Sequence, residues 1–372
     1  MKRRQFTAMA VAALFGACMA APAFAADIDY GKPGSPVKLV VGYQPYYTQA
    51  WTGVVMRSKK FYEKYLPKGS EVEFQVGLQG AIISNNMLAG KTNIGYMGDM
   101  PSINATSHPD VADLRIVSTL GLGYDQCNAF LVRTDAPQFS SGLDALKWLN
   151  GKRVAVPKGS CTDRFAQTVF KEHNIKPAEY LNQNIEVITS GFRAGKLDAA
   201  VMWEPTTARL QLEGLARRVS TGFDFNQIDG GFLVMRLDLI NGRPDVVKAW
   251  LNAELDAQLY LADTKNAAEI TKMAQEQTTG FSEKSLWYSL YGSYGRPQDV
   301  RLLLHYAITP EAKDLLIRGS QFLHSIQSIQ YPQIRPEAIM PQFAEEVLKE
   351  RKMKAPLGEI LPLPDSAFKG SK

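Results

Sequence analysis

One segment of this chain occurs twice. Ala89-Gly90-Lys91-Thr92-Asn93-Ile94-Gly95-Tyr96-Met97-Gly98-Asp99 returns about a hundred residues later as Ala194-Gly195-Lys196-Leu197-Asp198-Ala199-Ala200-Val201-Met202-Trp203-Glu204, with Ala, Gly, Lys, an Asx residue and Met in register. In each copy a short helix ends on Gly, which lacks the Cβ that penalises a left-handed C-cap. A strand of small residues follows and runs out into an acidic residue beside proline. The upstream context repeats as well: Val37-Lys38-Leu39-Val40-Val41 empties into Gly42-Tyr43-Gln44-Pro45-Tyr46, and Arg153-Val154-Ala155-Val156 empties into Pro157-Lys158-Gly159-Ser160-Cys161-Thr162. Short β-branched runs stopped by Gly and Pro read as strands. After the first, Thr48 is placed to cap a helix through Trp51, Val54, Val55, Phe61, Tyr62 and Tyr65; after the second, Ser160 or Thr162 is placed to cap one through Phe165, Val169 and Phe170. The alternative is chance similarity of two βαβ units, since Gly after a helix and Asx in a turn are common. Taken as a repeat, the pattern predicts an α/β chain with two equivalent strand-end loops, where open α/β sheets present ligand sites.

The amino terminus reads as an export signal. Lys2, Arg3 and Arg4 precede an apolar run from Ala8 to Met19, and Ala23-Phe24-Ala25 fits the small-x-small cleavage rule. Arg3-Arg4-Gln5-Phe6 resembles a twin-arginine signal, although its flanks favour an ordinary basic n-region, and Phe15-Gly16-Ala17-Cys18 lacks the leucine of a lipobox. Cleavage after Ala25 is the reading adopted, with a periplasmic mature chain. Residues 1–25 carry three basic and no acidic residues, so their removal takes the balance from 42 Lys and Arg against 37 Asp and Glu to 39 against 37. The basicity is largely the signal's, and no Lys/Arg run with interleaved aromatics suggests nucleic acid. The remaining 347 residues, 372 less 25, exceed what one core usually organises, so two domains are expected. Only Cys127 and Cys161 survive processing; an oxidising compartment permits a bridge between them, but the sequence alone favours two free, partly buried thiols.

The motifs Gly42-Tyr43-Gln44-Pro45, Gly98-Asp99-Met100-Pro101, Gly151 to Ser160, and Gly195 to Ala199 with Trp203-Glu204-Pro205 occur in an order that resembles the nitrate, sulfonate and taurine binding-protein family, the extracytoplasmic solute receptors of ABC importers. The resemblance covers roughly Val37 to Pro205 and weakens beyond Asp238. It implies a type II periplasmic-binding-protein fold, two α/β lobes joined by two crossover strands with the ligand cleft between them. The Gly-rich stretches Leu120 to Asn128 and Phe223 to Gly231 are the expected crossovers, each followed by a similar strand, Ala129 to Arg133 and Phe232 to Arg236. Lobe one would then comprise residues 26–122 and 228–372, and lobe two residues 123–227. Helices are expected from Pro244 through Val247, Trp250, Leu251, Leu255 and Leu259, around Lys265 to Glu276 and around Ala338 to Arg351. The aromatic cluster Trp287, Tyr288, Tyr291 and Tyr294 reads as packing.

Helix N-termini offer an anion free backbone N–H groups and the favourable end of the macrodipole. Lys158, Gly159, Ser160, Cys161 and Thr162 before one helix, and Gly80 at the start of another, are the expected anion contacts, with Gln44 and Gly98 as further donors. Trp203 is the candidate wall for an apolar body, opposed by Tyr46. Asp99 and Glu204 occupy matching places in the two repeats: facing the cleft they would hold a ligand amine, and capping a helix or bonding across the hinge they would be structural. Asp163-Arg164 departs from the family's usual small or aromatic residue followed by His or Tyr.

No phosphate-binding loop, nucleophile elbow or His-Glu-x-x-His motif is present, and the four histidines, His108, His173, His305 and His324, lack metal-ligand spacing. No catalytic residue, cofactor or metal is expected. The resemblance implies a monomeric receptor that delivers a small organic anion (sulfonate, taurine-like or aromatic carboxylate) to an ABC permease and its ATPase. A thiamine-precursor pyrimidine, or service to a sensor, are the alternatives.

Overall fold

The structure is a computed structural model and describes residues 28–295 and 300–370; the expected export signal lies outside them. The first repeat unit runs β1 (Lys38–Tyr43), α1 (Trp51–Lys59), β2 (Glu71–Val76), α2 (Gly80–Leu88), β3 (Ile94–Gly98), α3 (Asp99–Thr106) and β4 (Leu114–Gly123). After β5 (Ala129–Arg133) and α4 (Gly142–Trp148) the second runs β6 (Arg153–Val156), α5 (Cys161–Glu172), β7 (Glu179–Asn182), α6 (Ile185–Arg193), β8 (Ala199–Met202), α7 (Thr206–Leu212) and β9 (Ala216–Thr221). The rest comprises α8 (Gly222–Phe225), β10 (Asp229–Arg236), α9 (Leu237–Gly242), α10 (Pro244–Ala262), α11 (Ala267–Gln277), α12 (Glu283–Tyr291), β11 (Leu302–Leu304), α13 (Pro310–Ser325), α14 (Gln342–Glu350) and β12 (Gly358–Ile360).

The repeat is a repeat of topology. β1 pairs in parallel with both β2 and β3, and β6 pairs in parallel with both β7 and β8. An antiparallel strand then flanks each unit, β10 beside β3 and β5 beside β8. The sheet orders are β12-β11-β4-β10-β3-β1-β2 and β7-β6-β8-β5-β9. The chain thus leaves the first sheet after Gly123, enters the second at Ala129, and returns between Thr221 and Asp229. Gly90 and Gly195 close their helices at φ +72° and +63°, the left-handed conformation that glycine adopts without strain. Pro244 occupies the first turn of α10. β4 and β10 are buried along their whole length, as strands covered on both faces must be.

Two local expectations change. Thr48 caps nothing: its hydroxyl donates to the Gln126 side chain in the first crossover, a 3₁₀ turn occupies Thr48–Ala50, and α1 begins only at Trp51. The cysteines are not free thiols. Cys127 and Cys161 form a disulfide with Cα atoms 6.0 Å apart, because the crossover loop passes directly beneath the first residue of α5. On a chain-entropy basis a bridge spanning 34 residues stabilises by on the order of 4 kcal/mol.

Candidate functional site

Three helices begin at one cavity of about 310 Å³ between the sheets. α2 and α3 arrive from the first lobe, α2 from the loop after β2 and α3 directly from the end of β3; α5 arrives from the second, launched from the loop after β6. The wall includes Gln44, Gly80, Gly98, Lys158, Gly159, Ser160, Cys161 and Trp203, all expected from the sequence. It also includes Ala81, from the same expected helix start as Gly80, and Tyr47, Gln79, Ser84, Asn85, Pro101, Asn104, Pro157, Leu323 and Ser328, which were not expected. Two of these had a usable signal: Ser84 is one turn beyond Gly80 and Asn104 nearly one turn beyond Pro101, so a site at either helix start reaches them on the same face. Leu323 and Ser328 had none, since only the packing of α13 against α3 brings them to the cleft.

The first-lobe donors are open. Neither N-cap residue, Gln79 of α2 or Gly98 of α3, caps its helix with a side chain, although at α3 the Asp99 carboxylate already takes the Met100 amide, so the open first-turn donors are chiefly those of α2. Gln44 and Ser84 are 4% and 2% exposed, yet Gln44 Oε1 and Ser84 Oγ have no hydrogen-bond partner among the described residues. A buried polar atom without a partner costs about 1–3 kcal/mol, and here both belong to residues of the cavity wall. Gly80 is required sterically: a Cβ there would collide with Pro101 and come within 2.9 Å of Gln44 Oε1.

The second-lobe loop is largely satisfied by itself. The Ser160 hydroxyl donates to the Pro157 carbonyl at 2.5 Å and accepts from the Asp163 amide at 3.4 Å. Thr162 Oγ1 lies 2.7 Å from Ser160 Oγ and is buried behind it. The Gly159 amide donates to Asp163 Oδ2 at 2.8 Å, and Asp163 Oδ1 also accepts from Gln167 and from the Tyr180 hydroxyl. Lys158 is exposed at the mouth, its ammonium 5.4 Å from the Tyr180 ring centroid. Gly159, at φ +74°, allows the turn that presents these groups.

The remaining expected residues stand behind the wall. Tyr46 turns its ring onto Phe281 and its hydroxyl to Thr279, while its carbonyl accepts the Trp203 indole N–H at 3.0 Å across the lobes. Asp99 is fully buried, accepts from the Met100 amide at 2.8 Å and pairs with Arg164 at 3.4 Å; burial pushes its carboxyl up and the Arg164 charge opposes that shift. Arg164 also donates to the Ile228 carbonyl at 2.6 Å, a buried tie from α5 to the return crossover. Glu204 caps α7 through the Ala208 amide and binds Arg218 and Tyr294. Arg218 also reaches Asp125 in the crossover at 3.2 Å. The Tyr294 ring lies 3.6 Å from the Arg218 guanidinium carbon and 4.3 Å from that of Arg301. Both acids of the repeat are thereby committed to buried pairs, Asp99 with Arg164 and Glu204 with Arg218.

A cavity ringed by helix starts from two sheets is the arrangement expected of a receptor family, and the chain matches the model of the NMT1-like family over residues 32–275. The chain belongs to the NMT1-like family. It is 26% identical over 250 residues to the taurine-binding periplasmic protein of Escherichia coli (strain K12), covering 64% of this chain and 72% of that one. Among solved structures it shares its fold with the alkanesulfonate-binding protein of Xanthomonas axonopodis pv. citri bound to MOPS, at TM-score 0.65 and 18% identity over 83% of this chain and 99% of that one. The nitrate-binding protein of Synechocystis PCC 6803 matches at TM-score 0.66 and 14% identity over 86% and 90%. A desulfurization enzyme has the same fold at TM-score 0.61, 18% identical over 84% and 99%, so the fold itself does not separate binding from catalysis. No helix among the described residues is long and apolar enough to cross a membrane.

Proposed function

We propose that this NMT1-like protein is the periplasmic receptor of an ABC importer, that it binds a small organic anion between its lobes, and that its closed form docks on a membrane permease driven by an ATPase. In this reading residues 26–122 and 228–372 form one lobe, residues 123–227 the other, and the receptor acts as a monomer. The observation that carries it is the convergence of α2, α3 and α5 on one cavity with unpartnered Gln44 and Ser84 in its wall and Lys158 at its mouth. An anion there exchanges water for first-turn amides, hydroxyls and favourable helix dipoles. Trp203, Tyr47, Pro101 and Leu323 add apolar surface that a bare inorganic ion would leave unused. Charge-assisted hydrogen bonds contribute about 1.5–3 kcal/mol each, and micromolar affinity needs about 8 kcal/mol, so contacts from both lobes are required and ligand favours closure.

Binding is favoured over catalysis because the cysteine in the wall, Cys161, is held in a disulfide and His108, His173, His305 and His324 all lie outside the lining. The test is a thermal-shift panel on the denatured and refolded mature chain, using sulfonates, aromatic and aliphatic carboxylates, nitrate and pyrimidines. A ligand at a hundred times its Kd adds about 2.7 kcal/mol of stability. The reading expects that shift from organic anions; a shift from pyrimidines or nitrate alone would overturn it.

A further inference from the structure

Resting on that reading, we propose that the anion has a neutral body carrying a hydroxyl-type donor and no ammonium group, so that the site selects a hydroxy-sulfonate or hydroxy-carboxylate over the isosteric amine. Among the described residues that line the cavity none is an Asp or Glu. The acids nearest in sequence to its loops are all occupied elsewhere. Asp99 is tied to Arg164 and the Met100 amide, and Glu204 to Arg218, Tyr294 and the Ala208 amide. Asp163, which faces the outer chamber beside Lys158, accepts from the Gly159 amide, Gln167 and Tyr180.

An ammonium entering this chamber would meet helix starts of positive potential and the Lys158 charge, with no carboxylate to offset its desolvation. A charge taken out of water without a counter-charge is strongly penalised. A hydroxyl meets a different fate. Gln44 Oε1 is a buried acceptor without a donor and Ser84 Oγ a buried hydroxyl without a partner; a neutral O–H satisfies the first, and its oxygen accepts from the second. The site is therefore matched to an anionic head and a neutral hydrogen-bonding body.

Isothermal titration of the refolded mature chain with three isosteric pairs tests this. The pairs are 2-hydroxyethanesulfonate against taurine, 3-hydroxypropionate against β-alanine, and 4-(hydroxymethyl)benzoate against 4-(aminomethyl)benzoate. In whichever pair binds, the hydroxyl member is expected to bind at least tenfold more tightly. Equal or tighter binding of the amine overturns this inference while leaving the anion reading intact. No binding by any of the six overturns the anion reading and this inference together. Asn104→Asp supplies a second readout, since it puts a carboxylate on the wall at a partly exposed position whose amide contacts Ser328 at 3.4 Å. It is expected to shrink the hydroxyl preference at least threefold, and an unchanged ratio with the fold intact would contradict the proposal.

Discussion

In the first lobe α2 and α3 begin at Gln79 and Gly98 without side-chain caps, whereas in the second α5 begins at Ser160, whose hydroxyl accepts from the Asp163 amide while the Asp163 carboxylate holds the Gly159 amide. The second loop is further pinned by the Cys127–Cys161 bridge. Helix starts at different places in the repeated plan thus differ in how they treat their backbone donors. The start of α2 leaves donors for the ligand to satisfy, and the start of α5 closes its own, contributing a stiff wall, the Lys158 charge and, with β8, Trp203. Binding energy should therefore reside mainly in the first lobe, and rigidity in the second.

The bridge offers the largest effect. Cys127→Ser with Cys161→Ser is expected to lower unfolding stability by on the order of 4 kcal/mol in a denaturant titration, with a smaller loss of affinity because Ser160 and Asp163 still shape the start of α5. A large affinity loss at nearly unchanged stability would place the binding energy in the second lobe instead. Next comes Gly80→Ala, whose Cβ would drive into Pro101 and Gln44. Overpacking of this kind costs about 1–3 kcal/mol of stability, which a denaturant titration should show, and calorimetry should show weaker binding because the Cβ displaces Gln44 from the wall. Gly98→Ala, with Tyr47 at 3.5 Å, is an ordinary contact and should weaken binding far less. The finest comparison is between two serines. Ser160→Ala removes a cap worth about 1 kcal/mol of stability with affinity nearly unchanged. Ser84→Ala leaves the melting temperature unchanged or raises it, and weakens binding by about 0.5–1.5 kcal/mol.

Much of this was legible in the sequence for physical reasons that can be named. Gly90 and Gly195 marked helix ends because only glycine adopts the left-handed cap freely, and β-branched runs stopped by Gly and Pro placed β1 and β6 together with the loops that follow them. Chain connectivity then brought Gln44, Gly80, Gly98, the Lys158 loop and Trp203 to one cavity. Whether a side chain faces that cavity was not legible. Asp99 and Glu204 hold equivalent sequence positions, yet their orientation depends on Arg164, Arg218 and Tyr294, which arrive from other elements. Asx and acidic residues at a helix start also serve equally as caps and as ligand contacts. Leu323 and Ser328 lie beyond residue 275, where the family match ends, and reach the wall only through tertiary packing. The disulfide required the distance between the crossover and α5, which no local pattern encodes.

The most direct test of the division between lobes is a crystal structure of the refolded mature chain with the tightest-binding anion of the panel. The predicted result has the anionic head within about 3 Å of the Gly80 and Ala81 amides, with the body against Trp203 and its hydroxyl at Gln44 Oε1 and Ser84 Oγ. A head group held by Lys158 and the Ser160 loop, leaving Gln44 and Ser84 unpartnered, would contradict the account.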